Sequence, residues 1–333
     1  MNAQAKLLKL QFASFLPIDS LVALTASIIC LSFSPIFIRL SELEIGPNAT
    51  AFNRFWIAAV AFWLLNTLLT VRHRYRNKET QLEQQKHHLV NRAKLLIIDG
   101  ILISVGLMLW AWSLNQTSIA NSSMIHNLVP IFTVLGGWLT LGQTFDNRFL
   151  IGMVVAIFGA TLLEAEELLS LRMSQELLGS LAALLSAVFF GIHPLVIQRL
   201  RSNLSPVTIM TWSTTTSFLF ILPVVLIAEE QLFPTSINGW LAVIAQALVS
   251  QMLAMGLWAY CLKKLSAGFS SLVALLIPAL SAVEGWAIFS ESLNFLTVVS
   301  FFVILFGMYL AISSTSAIKF EIESSKVMIK TND

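Results

Sequence analysis

Residues 118–141 read SIANSSMIHNLVPIFTVLGGWLTL, and residues 266–289 read SAGFSSLVALLIPALSAVEGWAIF. Set over one another at an offset of 148, they match at Ser118 and Ser266, at Ser122-Ser123 and Ser270-Ser271, and at Pro130 and Pro278. The register extends outward, with Trp110 on Trp258, Ala111 on Ala259, Leu114 on Leu262 and Gly159 on Gly307. Nearer the N-terminus the offset becomes 159 and pairs Ser27 with Ser186, Pro35 with Pro194 and Pro47 with Pro206. A longer basic segment after the second apolar stretch absorbs the difference of 11 residues. The chain is built from two related halves.

Both quoted stretches are long and apolar. Crossing about 30 Å of hydrocarbon takes about 20 such residues. Ten segments meet that test: Leu21 to Leu40, Ala49 to Val71, Lys94 to Leu114, Ser118 to Leu141, Phe149 to Leu163, Leu177 to Leu200, Pro206 to Ala228, Gly239 to Leu262, Ala267 to Phe289 and Leu293 to Ser313. Of 333 residues, 56% are hydrophobic and 11% charged, against about 25% charged in an ordinary soluble domain. That balance excludes a water-soluble core. Nine tryptophans and 23 phenylalanines suit helix packing and the headgroup boundary.

Lysine and arginine resist translocation, so their placement sets orientation. With a cytoplasmic N-terminus, 17 of the 20 basic residues fall on the inner side. Arg39 and Arg172 fall outside, and Arg54 lies within the second span. The prediction is an all-α integral membrane protein of ten transmembrane helices, with both termini cytoplasmic. Five is odd, so the second repeat enters the membrane inverted relative to the first. The predicted segments are a cytoplasmic 1–19, repeats at 20–164 and 177–314, an external linker at 165–176 and a cytoplasmic tail at 315–333. Lys6 and Lys9 precede an apolar run too long for a signal peptide, which reads as an uncleaved first helix. Cys30 and Cys261 sit in unrelated apolar segments and read as buried thiols.

Smaller motifs recur in the same order in each half. Leu128-Val129-Pro130, Leu141-Gly142-Gln143, Gly152 and Gly159 are echoed by Leu276-Ile277-Pro278, Ser290-Glu291 and Gly307, each proline standing 13 residues before the polar end residue. Over nearly the whole span from the first helix to the tenth, the chain resembles the EamA-type branch of the drug/metabolite transporter superfamily. That family usually has glutamate at both polar end positions; Glu291 keeps the pattern and Gln143 departs from it. Arg54 matches a position where the family often carries arginine. The resemblance implies a ten-helix transporter with a central cavity between the halves, commonly exporting amino acids or related metabolites.

Transport needs polar groups at membrane depth, and an ionisable residue there is a functional candidate by default. Arg54 and Glu284 each lie about five residues, roughly 8 Å, from the outer end of their helices. Two readings stand: an ion pair acting as gate or substrate site, and two charges snorkelling separately to the surface. His126, Pro130, Thr133 and Gly137 share one helical face, which suits a cavity wall flanked by Asn127, Ser122 and Ser123. Trp110 and Trp258, as repeat mates, read either as symmetric cavity walls or as packing anchors, with Ser271, Gln246, Ser250 and Gln251 as further polar lining. The expected substrate-binding set is Arg54, Trp110, His126, Asn127, Pro130, Gln246, Trp258, Ser271 and Glu284. Glu284, His126 and His193 are the proton-coupling candidates, because burial retunes protonation. His193 stands before Pro194 as a lone histidine on an apolar helix, and Asp99 is expected to pair locally with Lys94 near the inner end. Gly152, Ala156 and Ala160 read as a small-residue face for close helix contact.

No G-x-x-x-x-G-K-[ST] loop occurs, so transport is expected to be driven by proton or substrate gradients, or to be facilitated. No cluster of metal ligands or nucleophile-base pair is evident, which argues against an enzyme; no cofactor, metal or nucleic-acid partner is expected. The expected partners are the lipid bilayer and a small polar metabolite, the protein acting as a monomer or homodimer in the cell membrane. A nucleotide-sugar or phosphate-ester exchanger would want several cations in the cavity, and a non-transporting receptor is a further alternative. The stretch from Arg72 to Lys94, with His73, His87 and His88, reads as a solvated cytoplasmic loop rather than a metal or lipid site.

Overall fold

A computed structural model of the chain describes residues 17–75, 79–117, 119–162, 177–229, 231–290 and 295–317. Glu291 and the segment 165–176, with Arg172, lie outside the described residues, as do Ser118 and the side chains of His73, His87 and His88. In chain order the helices are α1 (Ile18–Ser32), α2 (Ser34–Ser41), α3 (Pro47–Tyr75), α4 (Glu79–Gln116), α5 (Ile119–His126), α6 (Val129–Leu141) and α7 (Asn147–Leu162). The second half follows with α8 (Leu177–Leu200), α9 (Pro206–Ala228), α10 (Ile237–Ala245), a π-helical segment (Gln246–Leu253), α11 (Ala254–Cys261), α12 (Ala267–Val273), α13 (Leu276–Phe289) and α14 (Phe295–Ile312). Among the described residues, nine helical spans are long and apolar enough to cross a membrane, and α7 is a shorter apolar helix. Their outer faces are hydrophobic, with Leu68, Ile227 and Phe302 at 67%, 88% and 64% exposure. Water would not tolerate so much apolar surface, whereas acyl chains would.

Proline breaks the spans where the repeat places it. A ring without N–H clashes with the preceding turn, and the chain responds with tightened i→i+3 bonds. Leu128 N–H donates to Ile125 O at 3.1 Å and Ile131 N–H to Leu128 O at 2.9 Å before and across Pro130. At Pro278, Leu275 N–H donates to Leu272 O and Ile277 N–H to Ala274 O. Pro35 likewise separates α1 from α2 at Phe33, yet its repeat mate Pro194 stays inside the continuous α8.

The expected loop from Arg72 to Lys94 is instead largely helical. α3 runs to Tyr75 and α4 starts at Glu79. Between Glu79 and Asp99 there is no glycine or proline and a wealth of Glu, Gln, Lys, Arg and Leu, all strong helix formers.

The halves are laced together. α8 packs along α4, α9 crosses α3 and α4, and α11 lies on α1. α7 and α14 pack against one another, and glycine makes their contact possible. A Cβ on Gly307 would sit 2.6 Å from the amide nitrogen of Ala156 and the carbonyl oxygen of Gly152. One on Gly152 would sit 2.5 Å from Gly307 O. Gly152, Ala156 and Ala160, the expected small-residue face, are all buried.

At the end of the bundle holding the α2–α3 and α9–α10 connections, Glu44 fastens the two halves. Its carboxylate accepts from the amides of Thr235 at 2.9 Å and Ser236 at 3.0 Å and from the Ser236 hydroxyl. Ser236 Oγ in turn accepts from Gly239 N–H at 3.0 Å as the N-cap of α10. The side-chain bond from Ser236, then the two amides, hold the Glu44 carboxyl down at about 2. A folded value below the unfolded one stabilises the native state above the unfolded value and loses that contribution as pH falls toward the folded one. Glu44→Gln should therefore lower thermal stability in detergent near pH 7, and the gap from wild type should close as the pH drops through about 4 toward about 2. A gap constant with pH would show that the carboxylate charge is not what fastens the connection.

Candidate functional site

Three polar groups stand inside the bundle. The first surrounds Arg54 on α3, whose Nε donates to Gln251 Oε1 at 2.8 Å. Gln246 Nε2 donates to Ser34 Oγ at 2.8 Å. With its amide turned over, Gln246 Oε1 instead accepts from Ser34 Oγ at 2.8 Å and from Arg54 Nη1 at 3.2 Å. The guanidinium carbon lies 5.8 Å from the Phe55 ring centre. Both glutamines come from the π-helical segment, and the geometry of that segment explains the pairing. In an α-helix, residues five apart point about 140° away from each other. An i→i+5 helix nearly superposes them, so Gln246 and Gln251 reach the same arginine.

The second group is Glu284 on α13. Ser32 Oγ donates to its Oε1 at 2.6 Å, while its Oε2 is buried without a hydrogen-bond partner. Arg54 and Glu284 do not form the ion pair that their depths allow. They are nevertheless coupled through one turn of chain, because Ser32 and Ser34 flank the break at Phe33.

The third group gathers around His126 at the end of α5. The His126 ring lies 5.5 Å from Trp110 on α4 and 5.0 Å from Phe190 on α8. His126 Nδ1, Trp110 Nε1 and Asn127 Nδ2 are buried and unpartnered. His126 and Trp110 keep part of their surface accessible although both rings face protein. An aromatic wall carrying three unmet polar atoms is suited to receive a small polar ligand.

Other expected lining residues are placed differently. Pro130 is buried in the helix break, and Thr133 and Gly137 are buried below it on the expected face. Ser271 is buried, and its hydroxyl donates to Gly268 O at 2.9 Å, satisfying its own helix. Ser122 bonds Ser113 rather than His126. Trp258 is 6% exposed and belongs to the apolar core, so the two tryptophans are not equivalent walls. Gln143 Oε1 is buried without a partner near Gly137, where a Cβ would lie 2.6 Å away.

Asp99 and His193 depart furthest from expectation. Asp99 is fully buried and contacts no lysine; Lys94 is exposed. Five helical positions separate the two, which turns them about 140° apart. Asp99 Oδ1 instead lies 2.9 Å from His193 Nδ1, at ion-pair distance though off the line of a hydrogen bond. Ser213 Oγ donates to Asp99 Oδ2 at 2.6 Å. The lone histidine of α8 therefore meets a carboxylate from a neighbouring helix. Gly100 permits the arrangement by letting α9 come close: a Cβ there would lie 2.6 Å from Ser213 O. The sequence holds one signal for this cluster, since the 159-residue offset carries Ser34 to His193 and Arg54 to Ser213.

Among the described residues, no group of three or more His, Cys, Asp or Glu could hold a metal ion. Apolar spans and proline-broken helices together define a multi-pass membrane protein, with polar groups buried between its helices. Comparison with known proteins narrows that class. The profile of the EamA-like transporter family matches residues 20–164 and again 177–313, and the chain belongs to that family. It is 22% identical over 297 residues to an uncharacterized transporter of Archaeoglobus fulgidus, covering 87% of this chain and 95% of the relative. A crystal structure superposes with a TM-score of 0.71 at 14% identity, over 88% of this chain and 96% of its own, and supports the fold alone.

Proposed function

We propose that the protein is a secondary transporter that moves amino acids or similar small polar metabolites across the cell membrane by alternating access. In this reading ten spans form two inverted repeats with cytoplasmic termini. The observation that carries it is Arg54, a cation in mid-bundle held by neutral amides and facing no carboxylate within ion-pair distance among the described residues. Such a guanidinium is ready for a substrate carboxylate through charge-assisted bonds. The unpartnered Glu284 Oε2, on the other side of the Phe33 break, offers a complementary acceptor for an ammonium group. Trp110, His126 and Asn127 would face the rest of the molecule. A phosphate-ester exchanger is less well supported, since Arg54 is the one cation among these groups.

The test is counterflow in liposomes carrying the purified protein, with labelled amino acids, nucleosides, sugars and amines as the panel. Arg54→Gln should lower transport of the responding substrate by at least about tenfold, the equivalent of one charge-assisted hydrogen bond. Arg148→Gln, an exposed position, should leave it unchanged. Equal transport by the Arg54 variant and wild type would remove the guanidinium from the site.

A further inference from the structure

The Arg54 and Asp99 clusters occupy equivalent places in the two halves. The 159-residue offset carries Ser34 to His193 and Arg54 to Ser213, and the 148-residue offset carries Asp99 to Ala247, beside Gln246. Each cluster joins three helices across the boundary between halves: α2, α3 and the π-helical segment in one, α8, α9 and α4 in the other. Arg54 and Ser34 lie seven residues from the span ends Pro47 and Ser41, and Asp99, His193 and Ser213 lie seven from Arg92, Leu200 and Pro206. At 1.5 Å per residue each cluster is about 10 Å deep, from opposite ends of the bundle. One end holds a permanent cation among amides. The other holds a carboxylate beside an imidazole.

We propose that Asp99 and His193, closed by Ser213, form a proton-binding site, and that its proton occupancy sets how firmly α4 is tied to α8 and α9. The proposal rests on the transporter reading for its purpose but not for its chemistry. A fully buried carboxylate is costly unless its charge is matched. With one proton on the imidazole, the pair is an imidazolium beside a carboxylate and its net charge is zero. Loss of that proton leaves a neutral imidazole that keeps its Nδ1 hydrogen beside Asp99, and a buried net negative charge whose one hydrogen bond comes from the Ser213 hydroxyl. The proton departs from His193 Nε2, the ring nitrogen turned away from Asp99 and buried without a hydrogen-bond partner, and passes to water once the helices part. Opening is then favoured by deprotonation and closure by protonation. Arg54 cannot act in this way because guanidinium keeps its proton. Only one of the two equivalent ties is therefore proton-sensitive.

Asp99 makes no ion pair other than that with His193 among the described residues. Among residues whose side chains are described, the ionisable groups on the surrounding helices include His126, which meets α8 at Phe190; Arg92 and Lys94 on α4; Arg199 at the end of α8, with Arg201 just beyond it; and Arg54 and Arg72 on α3, which packs against α9.

The test is infrared difference spectroscopy of the full-length protein in phosphatidylcholine vesicles, titrated with pH and needing no substrate. A carboxylate band and an imidazole band are expected to change with one shared midpoint. Both changes should vanish in Asp99→Asn, and the carboxylate should lose its coupling to the imidazole in His193→Gln. Unaltered bands in a folded Asp99→Asn protein would overturn the proposal. Should that variant fail to fold, Ser213→Ala keeps both ionisable groups and should move the shared midpoint; an unmoved midpoint would also overturn it. Shared bands without counterflow activity would retire the transport reading and leave the proton site standing. Active counterflow without the bands would retire the proton site alone.

Discussion

On the proposed imidazolium–carboxylate pairing, replacing His193 with leucine should destabilise the folded protein by about 3–5 kcal/mol, the range found when one member of a buried charged pair is removed. His193 is 4% exposed and Asp99 fully buried. The variant would leave Asp99 with a single donor, Ser213 Oγ at 2.6 Å, in surroundings that cannot solvate the second oxygen. A second substitution, Asp99→Asn, should recover most of the loss, because the uncompensated charge rather than the missing imidazole is what destabilises. The measurement is a double-mutant cycle on unfolding midpoints in a fixed detergent. Additive effects of the two substitutions would mean that the pair is not coupled.

Gly307→Val should strongly destabilise the buried contact between α7 and α14. Its new Cβ would meet backbone atoms of α7 at 2.6 Å, and backbone cannot swing aside as a side chain can. α14 would have to move off α7 along their whole contact. Overpacking ordinarily costs about 1–3 kcal/mol and sometimes more, and here it also strips away the close packing on which membrane helices rely. Gly256→Ala is the control. Its nearest foreign atom, Phe62 Cε1, lies 3.8 Å from the added Cβ, so the higher helix propensity of alanine should make that change neutral or mildly stabilising. Thermal unfolding followed by gel filtration separates the two cases, and similar midpoints would show that the α7–α14 contact is looser than the geometry indicates.

The Gly307 contact is legible in the sequence, since Gly152, Ala156 and Gly307 are small residues at helical spacing in the repeated fifth and tenth spans. The Asp99 pairing is not. Sequence separation offers Lys94 as the obvious neighbour, but five residues turn a helix more than a third of the way round. The true partners lie 94 and 114 positions away. Arg54 is an intermediate case. Its depth and isolation mark it as a candidate, and depth alone points to a carboxylate partner, because hydropathy does not reveal that residues 246–253 adopt a π-helical turn.

By itself, the sequence determined the apolar spans, their duplication and the proline breaks. These depend on side-chain transfer energies and on the missing proline N–H, which are properties of a residue and its immediate neighbours. The tertiary structure alone decided which buried polar groups meet. That depends on helix rotation and closeness of approach, and a change of one residue per turn or one glycine at a crossing redirects a side chain from lipid to partner. So the arginine faces two amides and the aspartate faces a histidine, at equivalent places in the two repeated halves.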